Sequence, residues 1–126
     1  MILDAGVLIA IDRGTETGKA LLANADRLAE PLHTTTAVAA QVWRDGSRQA
    51  RLARALRSMT LHPFLPGDVA MVGEALRRSD TADVVDAHLY VVAERIGHDI
   101  LTSDVDDFAS LRTTTAPRSP QVLAWQ

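Results

Sequence analysis

Several aspartates in this sequence lie within or directly after apolar segments, where a carboxylate is unexpected unless it has a structural or functional role. Asp4 interrupts the apolar segment 2–9, and burying a carboxylate there is costly unless it is paired, hydrogen-bonded or bound to a metal. Asp104 directly follows another apolar segment, with Asp106 and Asp107 close behind it. Aspartate is also a good helix N-cap, so a functional role and a capping role both remain open for Asp4.

Asp83 and Asp86 are three residues apart and would share one face of a helix. The helix dipole explains an acid at the N-terminus well, so we interpret Asp83 as a cap. Asp86 lies a full turn further in, where two like charges on one face repel each other unless a cation is near. We therefore predict a functional role for Asp86. In the segment after residue 101, we favour Asp104 as the metal-facing acid, with Asp107 as the next candidate.

The residue types restrict which metal such acids could bind. The chain has no cysteine, so a thiolate site is impossible. The four histidines (33, 62, 88 and 98) show no HxH or HExxH spacing, and we interpret them as structural. Oxygen ligands and water remain, and these favour hard cations such as Mg²⁺ or Mn²⁺.

A basic segment lies just before the middle of the chain. Residues 43–58 contain five arginines against one aspartate, a local charge of +4, whereas the whole chain has a net charge of −3. The acidic total argues against a module that only coats nucleic acid. The segment is either a solvated surface or a region that follows a phosphate backbone, and for the second role we predict Arg44 and Arg48 as RNA-binding residues.

The hydrophobic pattern alternates short strands with helices. It predicts strands at 2–3, 32–35, 61–65, 99–102 and around 122–123, and helices at 15–25, 36–44, 48–58, from 67 through 76, from 80 or 81 to 96, and 107–111. Residues 5–11 are a strand continuation or a first helical turn. Ser47 is expected to cap the helix at 48–58, and Asp80 or Thr81 the helix that ends at Gly97.

Short apolar strands separated by helices indicate an α/β fold with a parallel sheet and helices on both faces. Ligands bind such sheets beyond the carboxyl ends of the strands. Asp4 and Asp104 follow strands, and Asp86 lies near a helix N-terminus that faces the same edge. We therefore expect these three acids to meet.

The length of 126 residues predicts a single domain over 1–126. No apolar run approaches the length of a membrane span. Met1 is followed by Ile2-Leu3-Asp4 rather than by a basic and then apolar leader. We therefore expect a cytoplasmic protein.

Four segments in this order resemble the PIN domain, and more narrowly the VapC toxins of VapBC toxin–antitoxin modules. They are Ile2-Leu3-Asp4-Ala5, the segment TTAVAAQV at 35–42, Val84-Val85-Asp86-Ala87-His88, and the segment LTSDVDDF at 101–108. The resemblance implies a three-layer α/β/α fold with Asp4, Asp86 and Asp104 as catalytic and metal-binding acids and Asp107 as a further ligand. It also implies a Mg²⁺- or Mn²⁺-dependent endoribonuclease that cuts structured RNA such as tRNA, a VapB-type antitoxin and a homodimer.

One position departs from the family pattern. The family usually has Glu in the early helix where this chain has Gln41. An amide oxygen can still contact a metal or its water, but it brings no charge, and Asp45 one turn later is a candidate to compensate. The main alternative is therefore a weakened PIN-like protein that binds a partner without cutting RNA. Two other classes of protein with an acid after the first strand are excluded. A receiver domain would need an acidic pair there, and a haloacid-dehalogenase-type phosphatase would need the motif DxD. Asp4-Ala5-Gly6 fits neither pattern.

Overall fold

A computed structural model describes residues 1–112 and 119–125. The described strands are β1 Ile2–Leu3, β2 His33–Thr35, β3 Thr60–His62, β4 Ile100–Thr102 and β5 Val122–Ala124. The described helices are α1 Ala5–Arg13, α2 Glu16–Arg27, α3 Thr36–Val42, α4 Ala50–Ser58, α5 Asp68–Ser79, α6 Val84–Ile96 and α7 Asp106–Ala109. The predicted alternation of strands and helices is confirmed. The single domain predicted over 1–126 stays a prediction, since its range includes residues outside the described ones.

The strands form one parallel sheet with the order β3-β2-β1-β4-β5. The central strand β1 pairs with β2 through Ile2 and His33, and with β4 through Leu3 and Leu101. Asp4 extends the second pairing, because its backbone N–H donates to the Leu101 carbonyl at 3.0 Å. Asp4 and the end of β4 therefore lie side by side at the carboxyl edge of the sheet.

Helices cover the sheet, as an α/β/α arrangement requires. On one side α1 packs against α2, α3 and α4, and on the other α6 packs against α5 and α7. The centre of the sheet is buried because both faces are covered, and Ile2, Leu3 and Ile100 have no exposed surface. No helix among the described residues is long and apolar enough to cross a membrane.

The structure decides or corrects several local predictions. Residues from Ala5 onward form a helix, since a two-residue strand suffices at the centre of this sheet. The third helix stops at Val42, two residues early, because Trp43 is extended. The fourth begins at Ala50 with Gln49 in the cap position, so the predicted Ser47 cap is wrong. Ser47 instead donates its hydroxyl to Asp45 Oδ1 at 2.6 Å.

The start of α6 also differs from the prediction. Neither Asp80 nor Thr81 caps this helix, because Asp80 ends α5 in the left-handed conformation, with φ of 53°. Asp83 is the N-cap, and its Oδ1 accepts a hydrogen bond from the Asp86 backbone N–H at 3.0 Å. The capping role assigned to Asp83 is therefore confirmed. Gly97 ends the helix in the left-handed conformation, as expected.

Candidate active site

Asp4 ends β1 with its carboxylate almost buried, at 8% exposure. It occupies the N-cap position of α1, but its side chain makes no capping hydrogen bond. Instead, Thr102 Oγ1 donates to Asp4 Oδ2 at 2.7 Å. The carboxylate therefore faces the end of β4 and does not cap its own helix, while the functional role of Asp4 stays a prediction.

Thr102 connects two of the predicted site residues. It is fully buried at the last position of β4. While its hydroxyl donates to Asp4, the same oxygen accepts a hydrogen bond from the Asp104 backbone N–H at 3.0 Å. One threonine therefore fixes both the orientation of the Asp4 carboxylate and the path of the chain into Asp104.

Asp86 lies in the first turn of α6 and is half-buried. Burial raises its pKa to about 7, and the negative charges of Asp83 and Asp4 contribute, followed by Asp107. Every charged group in that set is an acid. Among the described residues, no cationic side chain contributes to the shift, so the ionised Asp86 lies in a region of concentrated negative charge.

Asp107 joins the same region from the start of α7. Partial desolvation raises its pKa, and the nearby carboxylates of Asp104, Asp4 and Asp83 raise it further. Asp4, Asp83, Asp86, Asp104 and Asp107 thus influence one another, and we call these five residues the acidic cluster. The spacing of Asp83 and Asp86 already predicted that these two charges repel each other, whereas the contributions of Asp4 and Asp107 come from the fold.

Gln41, the predicted substitute for a glutamate, is exposed in the last turn of α3. Within the described part of the chain, no hydrogen bond joins it to the acidic cluster. The idea that Asp45 compensates on the same helical face is wrong, because α3 ends at Val42. Asp45 instead accepts hydrogen bonds from the backbone and hydroxyl of Ser47, which lower its pKa.

Arg44 and Arg48 are exposed in the loop between α3 and α4. We had placed Arg44 on the helix that carries Gln41, and this is wrong because the helix ends before it. Its Nη1 donates to the Trp43 carbonyl at 2.7 Å. Arg48 Nε lies 3.7 Å from Asp45 Oδ2. Both guanidinium groups thus face solvent near the end of α3.

A sequence model of the PIN domain matches residues 1–113. The chain belongs to the PIN domain family. The acidic cluster lies within the matched residues, and PIN domains are generally nucleases. A search of curated proteins found no sequence match.

A solved structure supports the same fold. A chain in the crystal structure of VapBC2 from Rickettsia felis, bound to a DNA fragment from their promoter, superposes on this PIN domain with a TM-score of 0.70. The match covers 99% of this chain and 98% of the other, at 13% sequence identity. At that identity the likeness establishes the fold.

PIN nucleases typically use a divalent metal, and the donor set of this PIN domain can be tested for that role. Within residues 1–112 and 119–125, no three carboxylate or imidazole side chains converge closely enough to form a complete metal site. However, Mg²⁺ usually keeps several waters and takes only one or two carboxylates from the protein. Burial and, after it, the neighbouring carboxylates raise the pKa of Asp86, and such a cation would relieve the repulsion among those carboxylates. The acidic cluster therefore fits a hydrated hard cation.

Proposed function

We propose that this PIN domain is a Mg²⁺- or Mn²⁺-dependent endoribonuclease and the toxin of a VapBC-type module, acting in the cytoplasm on tRNA or other structured RNA. The observation that carries the proposal is the half-buried Asp86 beside Asp83 and Asp4, with its pKa raised to about 7. A cluster of acids without a cation is unfavourable in itself. A divalent metal bound between these acids and a phosphate would offset the repulsion among the carboxylates.

Asp4, Asp86 and Asp104 are the proposed catalytic ligands, with Asp107 and Gln41 as further oxygen donors. A bound divalent cation would activate a water and neutralise the phosphate. In the hydrolysis, the water oxygen forms a bond to phosphorus as the bond from phosphorus to the 3′-oxygen breaks, and that oxygen leaves with a proton. Thr102 holds the Asp4 carboxylate in place through its 2.7 Å hydrogen bond, so little reorganisation is needed at the moment of reaction.

The first test is cleavage of total RNA and purified tRNA with Mn²⁺, with EDTA, and with Asp4→Asn. We expect cutting that requires metal and falls at least about 100-fold in the variant, since one ligand and one charge are lost. Asp26→Asn, an exposed aspartate on α2, is the matched control and should cut normally. Folded protein that cuts no RNA under any metal would contradict the nuclease proposal.

Gln41 carries the second candidate function, a PIN domain that binds partners but cuts weakly. The observation that favours it is the missing charge at a position where the family usually has Glu. Gln41→Glu is the discriminating variant, because it restores a carboxylate at an exposed site without changing the volume. A large gain in cleavage would indicate a weakened enzyme, whereas unchanged cleavage by an active wild type would remove this candidate.

The proposed partners are a VapB-type antitoxin and a second copy of the chain. A cavity of about 720 Å³ opens between α1, α2 and α4. Its lining is largely apolar, and its cations Lys19, Arg51 and Arg54 outnumber its acids Asp26 and Glu30. An amphipathic antitoxin helix with acidic flanks fits such a surface. Arg54→Glu, at an exposed position of α4, should weaken co-purification with a VapB-type protein encoded beside this chain while leaving the melting temperature nearly unchanged. Light scattering tests for the homodimer.

A further inference from the structure

Trp43 exposes a large aromatic surface directly after α3. The residue is 41% exposed although its ring is held on one side. A Cβ atom added to Gly46 would lie only 2.7 Å from Trp43 Cζ2 and 3.4 Å from Cη2. The six-membered part of the indole therefore lies against the bare backbone of Gly46, and the exposed part of the ring is accessible to another flat group.

Gln49 fixes the loop that carries this indole. Its Oε1 accepts hydrogen bonds from the backbone N–H groups of Arg44 at 2.7 Å and Asp45 at 3.0 Å. Its Nε2 donates to the Val42 carbonyl at 3.0 Å and to Asp12 Oδ2 at 3.4 Å. Gln49 is buried, at 8% exposure. One side chain thus holds both sides of the Trp43 position, which lowers the entropy lost when a ligand binds.

The surroundings of Trp43 are basic. Arg44 follows it directly and stays beside it, because Arg44 Nη1 donates to the Trp43 carbonyl at 2.7 Å. Arg48 lies in the same loop, and residues 43–58 carry the local charge of +4. An aromatic side chain among arginines is the combination that binds single-stranded nucleic acid, since bases stack on the ring and phosphates pair with the guanidinium groups.

The exposed face of α3 connects this loop with the acidic cluster. Thr36 opens α3 immediately after β2, at the carboxyl edge where Asp4 also lies. Thr36, Ala40 and Trp43 are all exposed and follow helical spacing. With a rise of about 1.5 Å per residue, Trp43 lies roughly 10 Å along the helix from that edge. A few nucleotides of a single strand span such a distance.

We propose that Trp43 stacks on an unpaired base of the RNA substrate, with the neighbouring phosphates on Arg44 and Arg48, and that Gln49 is the positioning residue of this subsite. The inference rests on the proposed function for its choice of RNA. It adds a base-stacking subsite outside the acidic cluster. It favours RNA over a protein partner because the surrounding charge is positive and the exposed face of α3 leads to the acids.

The test measures binding separately from cleavage. The chain has two tryptophans, so Trp125→Phe leaves Trp43 as the only indole, and Asp4→Asn with EDTA prevents cutting. The probe is a single-stranded eight-nucleotide oligoadenylate, and its matched control is an abasic oligomer with the same number of phosphates. We expect the oligoadenylate to quench Trp43 fluorescence and to bind more tightly than the abasic oligomer.

Three variants test the role of each residue. Trp43→Ala should weaken binding of oligoadenylate about 5- to 150-fold, the range for loss of one stacked base, with little change for the abasic oligomer. Trp43→Phe should retain most of the affinity. Gly46→Ala and Gln49→Ala keep the indole but displace it, so they should shift its emission maximum and weaken binding while the protein stays folded.

The outcomes separate this inference from the proposed function. Equal affinities of Trp43→Ala and its parent for oligoadenylate, measured by anisotropy of a labelled oligomer, would overturn the stacking subsite even if metal-dependent cleavage is found. Trp43→Ala that only converts a dimer to a monomer would assign the indole to contact between copies and would also overturn it. If Trp43 stacks on the oligomer but the protein with Asp4 intact cuts no RNA, the stacking subsite is upheld and the proposed nuclease activity is contradicted.

Discussion

At the scale of single residues, the Thr102 hydroxyl is the contact that organises the candidate site. It donates to the nearly buried carboxylate of Asp4 and accepts from the backbone of Asp104. The carboxylate would otherwise be buried against an apolar strand end without a donor. The sequence signal for this contact was only the spacing of Thr102 and Asp104, two residues apart at the end of a strand.

Thr102→Val should therefore lower the free energy of unfolding by more than the small change in side-chain shape explains. Removing the hydroxyl leaves a carboxylate oxygen and a backbone N–H without partners, which costs about 1–3 kcal/mol of the free energy of unfolding. Urea denaturation measures this loss, and RNA cleavage should fall with it. Thr102→Ser keeps the hydroxyl and serves as the control. Equal stability of the valine variant and the wild type would contradict this account of the site.

The raised pKa of Asp86 is a second prediction for one residue. In metal-free protein, ¹³C NMR of the side-chain carboxyl should report a pKa of about 7. Asp83→Asn should lower that pKa, because it removes the nearest negative charge while an asparagine still caps α6. Saturating Mg²⁺ should lower it as well. A pKa near the ordinary aspartate value in the metal-free wild type would contradict the proposed charge repulsion.

At the scale of elements, three of the four histidines that looked scattered along the chain are neighbours in the fold. His33 Nδ1 on β2 lies 3.0 Å from His62 Nε2 on β3. The ring of His98, just before β4, lies 4.7 Å from the ring of His33, measured between centroids. Partial burial lowers the pKa of His33 to about 4, with contributions from the charges of His98 and His62. Burial lowers the pKa of His62 as well.

These shifts predict acid sensitivity. A histidine with a lowered folded-state pKa binds fewer protons in the folded than in the unfolded chain, so the free energy of unfolding should fall as the pH drops from about 6.5 to 4. Urea denaturation across this range measures the slope. His33→Gln removes the titrating group and should make the slope shallower, while its stability at pH 8 reports the lost contacts. An unchanged slope would show that the titration of His33 does not govern the stability of the protein in acid.

Element boundaries were the least predictable feature of the fold. The hydrophobic pattern indicated a helix at 36–44, but α3 ends at Val42 because the Gln49 side chain accepts hydrogen bonds from Arg44 and Asp45 and holds the backbone in a loop. Likewise, Asp80 could cap a helix by its residue type, yet it ends the preceding one. Such choices depend on contacts between segments that local propensity does not contain.

At the scale of the whole molecule, a divalent cation should stabilise the fold because the acidic cluster comes from β1, α6, the end of β4 and α7. Binding only to the folded state at 100 times the dissociation constant adds about 2.7 kcal/mol to the free energy of unfolding. We expect a higher melting temperature with Mn²⁺ than with EDTA. Asp4→Asn should lose most of that difference.

The pH dependence of this effect has a definite sign. An acid with a raised folded-state pKa destabilises the metal-free protein as the pH rises from the ordinary aspartate value, near 4, to about 7. The stabilisation by Mn²⁺ should accordingly be larger at pH 7.5 than at pH 5.5, because the carboxylates repel one another more strongly when ionised. Equal melting temperatures with and without Mn²⁺ at pH 7.5 would contradict the proposed metal site.

The sequence by itself determined the fold class and the strand-to-helix order, and it singled out Asp4 and Asp86 as acids in apolar surroundings. It could do so because periodicity and the cost of a buried charge are local properties. Only the tertiary structure decided that Asp4 faces Thr102 and that His33 and His62 meet across β2 and β3. Each of these depends on the parallel register of the sheet, which brings residues up to 98 positions apart into contact.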